Sequence, residues 1–345
     1  MQLDKARKKQ AGIRSLGDLR RSGRVTGKVD PAKAVKGPVN IDCLVRPWQR
    51  GGMTGILAGT GVGKTTYVLY ILKHILLNNP TGVVAFVSLE LTATELAEKW
   101  YKATEDVPEL ADRLYIVENF DEDGNCLSLS LAEVNIELTN IKQTLNTTIH
   151  AYALDHLHEI NINGSLDYNP VCRELKNMTV ALDSHGFILS QTTKGKGIGD
   201  IPVPKDGCFG TSRYENLMTN IISIFQPLRR VEKECDLAVL GWQYAKIRYK
   251  NKGDKVKEGM NYLMRFDFDT EDLVELSPDE LTTFKNYYDK VLELRKNEEK
   301  FKSYQFDLSR EMKDENGKVL LNKKGEPIKM GGVFGGGTPD DGDEL

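Results

Sequence analysis

Ala58-Gly59-Thr60-Gly61-Val62-Gly63-Lys64-Thr65 is the stretch that decides the fold. Its glycines let the backbone turn tightly and aim successive N–H groups at one point. Lys64 adds a compact cation that can reach the β- and γ-phosphates of a nucleotide. Thr65 supplies a hydroxyl suited to Mg²⁺, and the start of a helix just beyond it favours an anion. This is a phosphate-binding loop of the Walker A type, with alanine at the usual first glycine. Gly59, Thr60, Gly61, Val62, Gly63, Lys64, Thr65 and Thr66 are the expected nucleotide-binding residues.

A chance glycine-rich turn is the competing reading, and the flanking sequence argues against it. Met53 to Ala58 reads as a short apolar strand running into the loop. Thr65–Leu77 has helical spacing, with Val68, Leu69, Leu72, Ile75 and Leu76 on one side. Strand, loop and helix in that order are what phosphate binding needs.

The 345 residues suit one large α/β domain with extensions, or two small domains, and 40% hydrophobic content supports a substantial core. The net charge of −3 hides an uneven distribution. Between Met1 and Lys36 stand eleven lysines and arginines against three aspartates. The other end is acidic, with Asp340, Asp341, Asp343 and Glu344 following Gly335-Gly336-Gly337. Opposed charged tails read either as interaction arms or as solubilising disorder. Five scattered cysteines with no C-x-x-C pair argue against disulfides and a zinc site. That points to a reducing compartment, the cytoplasm (a host's cytoplasm if the protein is viral). No signal-peptide run opens the chain. Tyr67–Leu77 is interrupted by Lys73 and His74 and is too short to cross a bilayer, so no membrane association is expected.

From about Asn40 to Leu276 strand-like and helical patterns alternate, as in parallel βαβ units. Strands are expected at Gly55–Ala58, Val83–Ser88, Leu114–Val117, Ile149–Leu154, Gly186–Ser190, Ile221–Phe225, Leu237–Ile247 and Tyr262–Phe268. Helices are expected at Thr65–Leu77, Thr92–Lys102, Leu129–Thr144, Val171–Ser184 and near Tyr214–Met218. Ser277-Pro278-Asp279-Glu280 then opens a charged helix to about Lys300, with serine as N-cap, proline at N1 and glutamate at N3. Turns follow at Asp314–Gly317 and Asn322–Gly325. The expected division is a basic arm over 1–39, an ATPase core over 40–276, a helix-and-hairpin extension over 277–330 and a flexible acidic tail over 331–345.

A triphosphatase also needs a metal carboxylate, a water-activating base and a phosphate sensor. Candidates stand at strand ends, where an open α/β sheet binds its ligands. Tyr152-Ala153-Leu154-Asp155 ends an apolar strand with an acid, so Asp155 is a Walker B candidate for Mg²⁺; capping the next turn is its other reading. Glu90 follows Val83–Ser88 and either polarises water or complements the dipole of the next helix. Gln191 ends Phe187–Ser190 and can both donate and accept. Lys246 and Arg248 lie two apart on a strand and so share a face; they are a solvated edge or fingers for a neighbour's γ-phosphate.

In this order these stretches resemble the RecA-like motor domain of replicative hexameric helicases, the DnaB family and its phage primase-helicase relatives. The likeness rests on Ala58–Thr65, on Phe86–Leu91 with Glu95-Leu96-Ala97, on Leu154–Leu157 through Ile188–Gln191, and on Lys246-Ile247-Arg248. Phe209-Gly210-Thr211-Ser212 with Glu215 adds to it, and the span is about Asn40 to Asp269. The resemblance implies a RecA-like P-loop core, a mostly parallel sheet flanked by helices. It implies Lys64 and Thr65 on phosphate and Mg²⁺, Glu90 as catalytic base, Asp155 as Walker B acid and Gln191 as sensor. It implies Arg248 as an arginine finger acting across a subunit interface, with Lys246 beside it. DNA in such rings threads a channel lined by loops after the Walker B and sensor strands. Here Lys194, Lys196 and Lys205 among glycines are the DNA-backbone candidates, and Asn161–Asn169 with Tyr168 is a weaker one.

The chain departs from the family at its start. No primase or collar is expected ahead of the motor, and the Ile13/Leu16/Leu19 stripe is expected to act as the linker helix on a neighbouring subunit. Trp48-Gln49-Arg50 replaces the usual glycine-rich approach to the first strand. The expected activity is ATP-driven helicase translocation on single-stranded DNA as a homo-oligomeric, hexameric ring, with the acidic tail meeting a replisome protein. The alternative is a non-unwinding RecA-like ATPase that binds single strands in recombination or replication. A P-loop kinase fits less well, since no lid-like arginine cluster is evident.

Overall fold

The computed structural model describes residues 33–38, 48–120, 125–160, 168–192, 199–208, 213–248, 258–270 and 272–295, and the backbone of 306–307 and 333–334. The basic arm through residue 32 with its Ile13/Leu16/Leu19 stripe lies outside them. So do Lys194, Lys196, Phe209–Ser212, both C-terminal turns and the acidic tail. The chain divides into two compact units, Met1–Ala34 and Val35–Leu345, and the second holds every element named below.

Five βα steps build the core. They are β1 (Met53–Ala58), α1 (Lys64–Asn78), β2 (Val83–Ser88), α2 (Ala93–Ala103), β3 (Leu114–Glu118), α3 (Leu131–Thr144), β4 (Ile149–Asp155), α4 (Asn169–Leu182), β5 (His185–Gln191) and α5 (Arg213–Leu217). β6 (Asn220–Phe225), β7 (Val239–Ile247), β8 (Asn261–Asp267), β9 (Asp272–Val274), α6 (Pro278–Arg295), β10 (Phe306–Asp307) and β11 (Val333–Phe334) follow.

Among the described residues these strands form one eleven-stranded sheet, ordered β11-β10-β8-β7-β6-β1-β5-β4-β2-β3 with β9 on β8. β3, β2, β4, β5, β1 and β6 are parallel, whereas β7 and β8 each run antiparallel to the strand before. The expected mostly parallel core is present, and the antiparallel extension is an addition to it. β1, β2 and β6 are buried at every residue, as parallel strands between two helical layers must be.

Side chains still alternate between the two layers. Ile56, Phe86, Phe187 and Leu189 pack with Tyr67, Leu72 and Trp100 of α1 and α2. Leu57, Tyr152, Leu154 and Ile188 pack with Val134, Leu138 and Leu175 of α3 and α4. No described helix is long and apolar enough to cross a membrane.

Helix starts are written locally. Thr92 and Glu95 cap α2 reciprocally, and Ser130 and Glu133 do the same for α3. The Ser277 N–H donates to Glu280 at 2.7 Å and the Glu280 N–H returns to the Ser277 hydroxyl at 3.3 Å. α4 begins earlier than periodicity suggests because Pro170 is tolerated in a first turn. It stops at Leu182 because Asp183 turns left-handed, φ 52°.

α6 is tied into the core by an ion cluster. Asp200, almost wholly buried, accepts from Arg230 Nε at 2.5 Å and from Arg295 Nη2 at 2.7 Å. Arg295 Nη2 also donates to the Asp200 carbonyl at 2.9 Å. Burial alone would raise this carboxyl; the two guanidinium bonds outweigh it and hold it below the usual aspartate range. Asp200→Ala strips the Arg295 guanidinium, 3% exposed, of its carboxylate. The loss should cost about 3–5 kcal/mol, read as a lower midpoint in chemical denaturation, and an unchanged midpoint would contradict this account.

Candidate functional site

The glycine loop lies at the carboxyl end of β1. Gly61 and Gly63 have φ of +71° and +102°, conformations that side chains rarely adopt. Gly63 caps α1 without a side-chain bond, and no acid stands in the first turn. The first N–H groups of α1 and its dipole are therefore available to an anion. Lys64 folds back over the loop, its Nζ 3.2 Å from the Gly59 carbonyl and 3.5 Å from that of Ala58. Burial lowers its pKa, while the charges of Asp155 and Glu90 work the other way.

β4 brings in Asp155 from ninety positions downstream. Thr65 Oγ1 donates to Asp155 Oδ2 at 2.6 Å. Asp155 is 2% exposed, and its Oδ1 is buried with no hydrogen-bond partner. Its pKa is pushed up to about 6, chiefly by burial. The Thr65 hydroxyl opposes that shift, the Glu90 charge adds to it, and Lys64 opposes it. A buried, half-satisfied carboxylate beside a hydroxyl is suited to a cation, although the Lys64 charge opposes one.

Glu90 stands two residues beyond β2, with a side chain 44% exposed. It is not a first-turn residue of α2. That helix starts at Ala93, is capped by Thr92 and Glu95, and the Ala93 N–H donates to Glu118 at 2.6 Å. The helix-dipole reading of Glu90 gives way for that reason. His156, next to Asp155, is buried. Its Nδ1 lies 3.6 Å from Glu90 Oε1 and its Nε2 lies 3.7 Å from Glu159 Oε1. Burial lowers the imidazole pKa to about 4, helped by His158 and Lys64, so the ring is neutral at physiological pH. Gln191 ends β5 opposite Ala58, half-buried. Lys64, Thr65, Glu90, Asp155 and Gln191 are thus gathered at the carboxyl ends of β1, β2, β4 and β5.

Lys246 and Arg248 lie at the other end of the sheet. Ile247 pairs with Asn220, the first residue of β6. The Arg248 N–H donates to the Thr219 carbonyl at 3.0 Å, and the Thr219 N–H donates to Met53, the first residue of β1, at 2.8 Å. The full length of β1, about 17 Å at the usual strand rise, separates this end from the glycine loop. Arg248 is exposed and donates to the Asn216 carbonyl; Lys246 donates to that of Glu215. Lys205 belongs to the same end, paired with Glu215 at 3.1 Å.

Tyr168 corrects one expectation. It is 8% exposed, and its hydroxyl donates to the His158 carbonyl at 2.7 Å. The ring is packing, not a stacking platform; residues 161–167 of that loop lie outside the described ones.

A cavity of about 640 Å³ beside the loop had no reading in the sequence. Gly61, Thr66, Gln226, Arg229, Phe266 and Phe268 are on its wall. Gln226 Nε2 donates to the Val62 carbonyl at 3.5 Å, and Arg229 Nη1 is buried with no hydrogen-bond partner. Phe268 is 70% exposed and meets Phe266 edge-on at 4.9 Å. The available signal was the Arg229-Arg230 pair in the turn after β6 and the Phe-x-Phe spacing.

No protein-family model matches the chain, and no curated protein does. Solved structures do match. The ATPase domain of a phage helicase aligns with a TM-score of 0.56 at 16% identity, over 75% of this chain and 96% of that one. A DnaB-like replicative helicase, solved for its interactions with primase, aligns with a TM-score of 0.58 at 16% identity, over 78% of this chain and 68% of the other. At that identity the likeness speaks for architecture: this chain has the RecA-like α/β fold of DnaB-type helicase ATPase domains.

Proposed function

We propose that the chain is a nucleotide-hydrolysing motor that translocates on single-stranded DNA as a ring, a replicative-type helicase. The observation that carries the reading is the Thr65–Asp155 contact of 2.6 Å next to Lys64 and Glu90. The residues fit Mg-nucleotide. The α1 N-terminus is uncapped, the Lys64 hydrogen bonds among the described residues go to carbonyls, and Thr65 sets its hydroxyl against Asp155 Oδ2.

In this reading the loop N–H groups of Gly59–Thr66 and Lys64 hold the phosphates. Thr65 and Asp155 hold Mg²⁺, which supplies charge neutralisation at the phosphates when bound. Glu90 takes the proton of the attacking water, and Gln191 orients that water and senses the γ-phosphate. The cavity beside the loop takes base and ribose, with Arg229 and Phe268 on its wall. Arg248 and Lys246 face a neighbouring copy's nucleotide, since their own is a strand length away. Lys194, Lys196 and Lys205 contact the DNA backbone. The basic arm packs on an adjacent subunit of a hexamer, the acidic tail meets a replisome protein, and the assembly works in the cytoplasm.

A forked duplex with one labelled strand tests this. With ATP and Mg²⁺ we expect strand displacement, and hydrolysis stimulated by single-stranded DNA. DNA-stimulated hydrolysis with no displacement would instead select the non-unwinding ATPase.

A further inference from the structure

Glu90, Asp155 and His156 each offer a ligand atom, and the three atoms lie within 4.8 Å of one another. Two of the three side chains belong to residues 2% exposed. Asp155 Oδ1 and His156 Nδ1 are both buried without a hydrogen-bond partner. Buried polar atoms are rarely left unpaired, because each costs its full desolvation. Two orphans on adjacent residues, in one cluster with the Glu90 carboxylate, call for a shared partner.

We propose that these three residues form a site for a divalent first-row transition cation of the Mn²⁺, Co²⁺ or Zn²⁺ class, distinct from the nucleotide's Mg²⁺. The donor chemistry makes the distinction. Mg²⁺ takes hard oxygen ligands and keeps most of its water. An imidazole nitrogen beside two carboxylates favours the borderline metals instead. The two sites use different sides of Asp155: Oδ2 is engaged by Thr65, and Oδ1 is the unpaired atom.

The surroundings resemble a built ligand set. His156 Nδ1 lies 3.6 Å from Glu90, and Glu159 stands 3.7 Å behind the other ring nitrogen. A carboxylate behind a metal-binding imidazole sets its tautomer and orientation. Glu90, 44% exposed, leaves the outer face open to water ligands. The nearby Lys64 ammonium opposes a cation, and the charges of Asp155 and Glu90, both felt at Lys64, offset it.

Co²⁺ titration of the full chain, without nucleotide or DNA, tests the site through its visible d–d absorption. We expect about one Co²⁺ per chain, with Mn²⁺ and Zn²⁺ competing and millimolar Mg²⁺ competing poorly. Glu159→Gln, behind the imidazole, should weaken binding by about 10–100-fold. His156→Gln should lose at least as much. Glu90→Gln, at a half-exposed side chain that cannot upset the core, should weaken it too. Thr65→Val should keep Co²⁺ binding while impairing Mg-nucleotide, which separates this site from the hydrolytic reading. No Co²⁺ spectrum, or an equal spectrum in both His156→Gln and Glu90→Gln, would overturn the proposal.

Discussion

Lys64→Ala should cut nucleotide hydrolysis by about 10²–10³-fold, the usual loss when one preorganised charge at a reacting centre is removed. The same change should leave the melting temperature level or slightly raised. Lys64 is 8% exposed, and its contacts are two carbonyls at 3.2 and 3.5 Å, one at the limit of a hydrogen bond. Burial penalises its charge, as its lowered pKa records, and the charges of Asp155 and Glu90 only partly offset this. A buried cation kept at some cost to the fold is expected where function needs it. Phosphate release and a thermal melt on one preparation check both halves. A variant that hydrolyses normally, or one that melts well below the parent, would contradict this view of Lys64.

Arg248→Ala should lower hydrolysis by about 10³–10⁵-fold, the range for an arginine finger, with nucleotide affinity preserved. The reason is placement. Arg248 is bonded through Thr219 to the start of β1, and the glycine loop is at that strand's end. One chain cannot bring the two together without breaking β1. A head-to-tail arrangement can, since one copy's Arg248 end then faces the next copy's loop. Complementation follows from this geometry. Lys64→Ala retains the guanidinium and Arg248→Ala retains the loop. Mixed in equal amounts they should regain roughly a quarter of parental activity, the share of interfaces that pair an intact loop with an intact finger. Mixed assemblies that remain as inactive as either variant would defeat the shared pocket. So would a strictly monomeric chain at full activity.

The RecA-like α/β core was largely legible because its signals are local. β2 runs over Val83–Ser88, as its apolar run predicts, and most other strands agree to within one or two residues. Those signals are short-range patterns: period, caps and breakers. Leu129 is excluded from α3 because Ser130 becomes the cap, and a cap is recognisable only once the helix is placed. Asp155, Glu90 and Gln191 stood out as polar residues ending apolar strands, so their gathering could be expected before their distances were known.

What the sequence by itself determined is the glycine loop, the alternation of strands and helices, and which side chains end the strands, since each depends on neighbours a few positions away. Tertiary structure alone decided the antiparallel β7 and β8, the cavity walled by Arg229 and Phe268, and the burial of Tyr168. It likewise joined Asp200 to Arg230 and Arg295, and set His156 between Glu90 and Glu159. Most of those contacts link residues far apart in the chain or on different elements. Strand order and burial, which no local pattern encodes, bring them within reach.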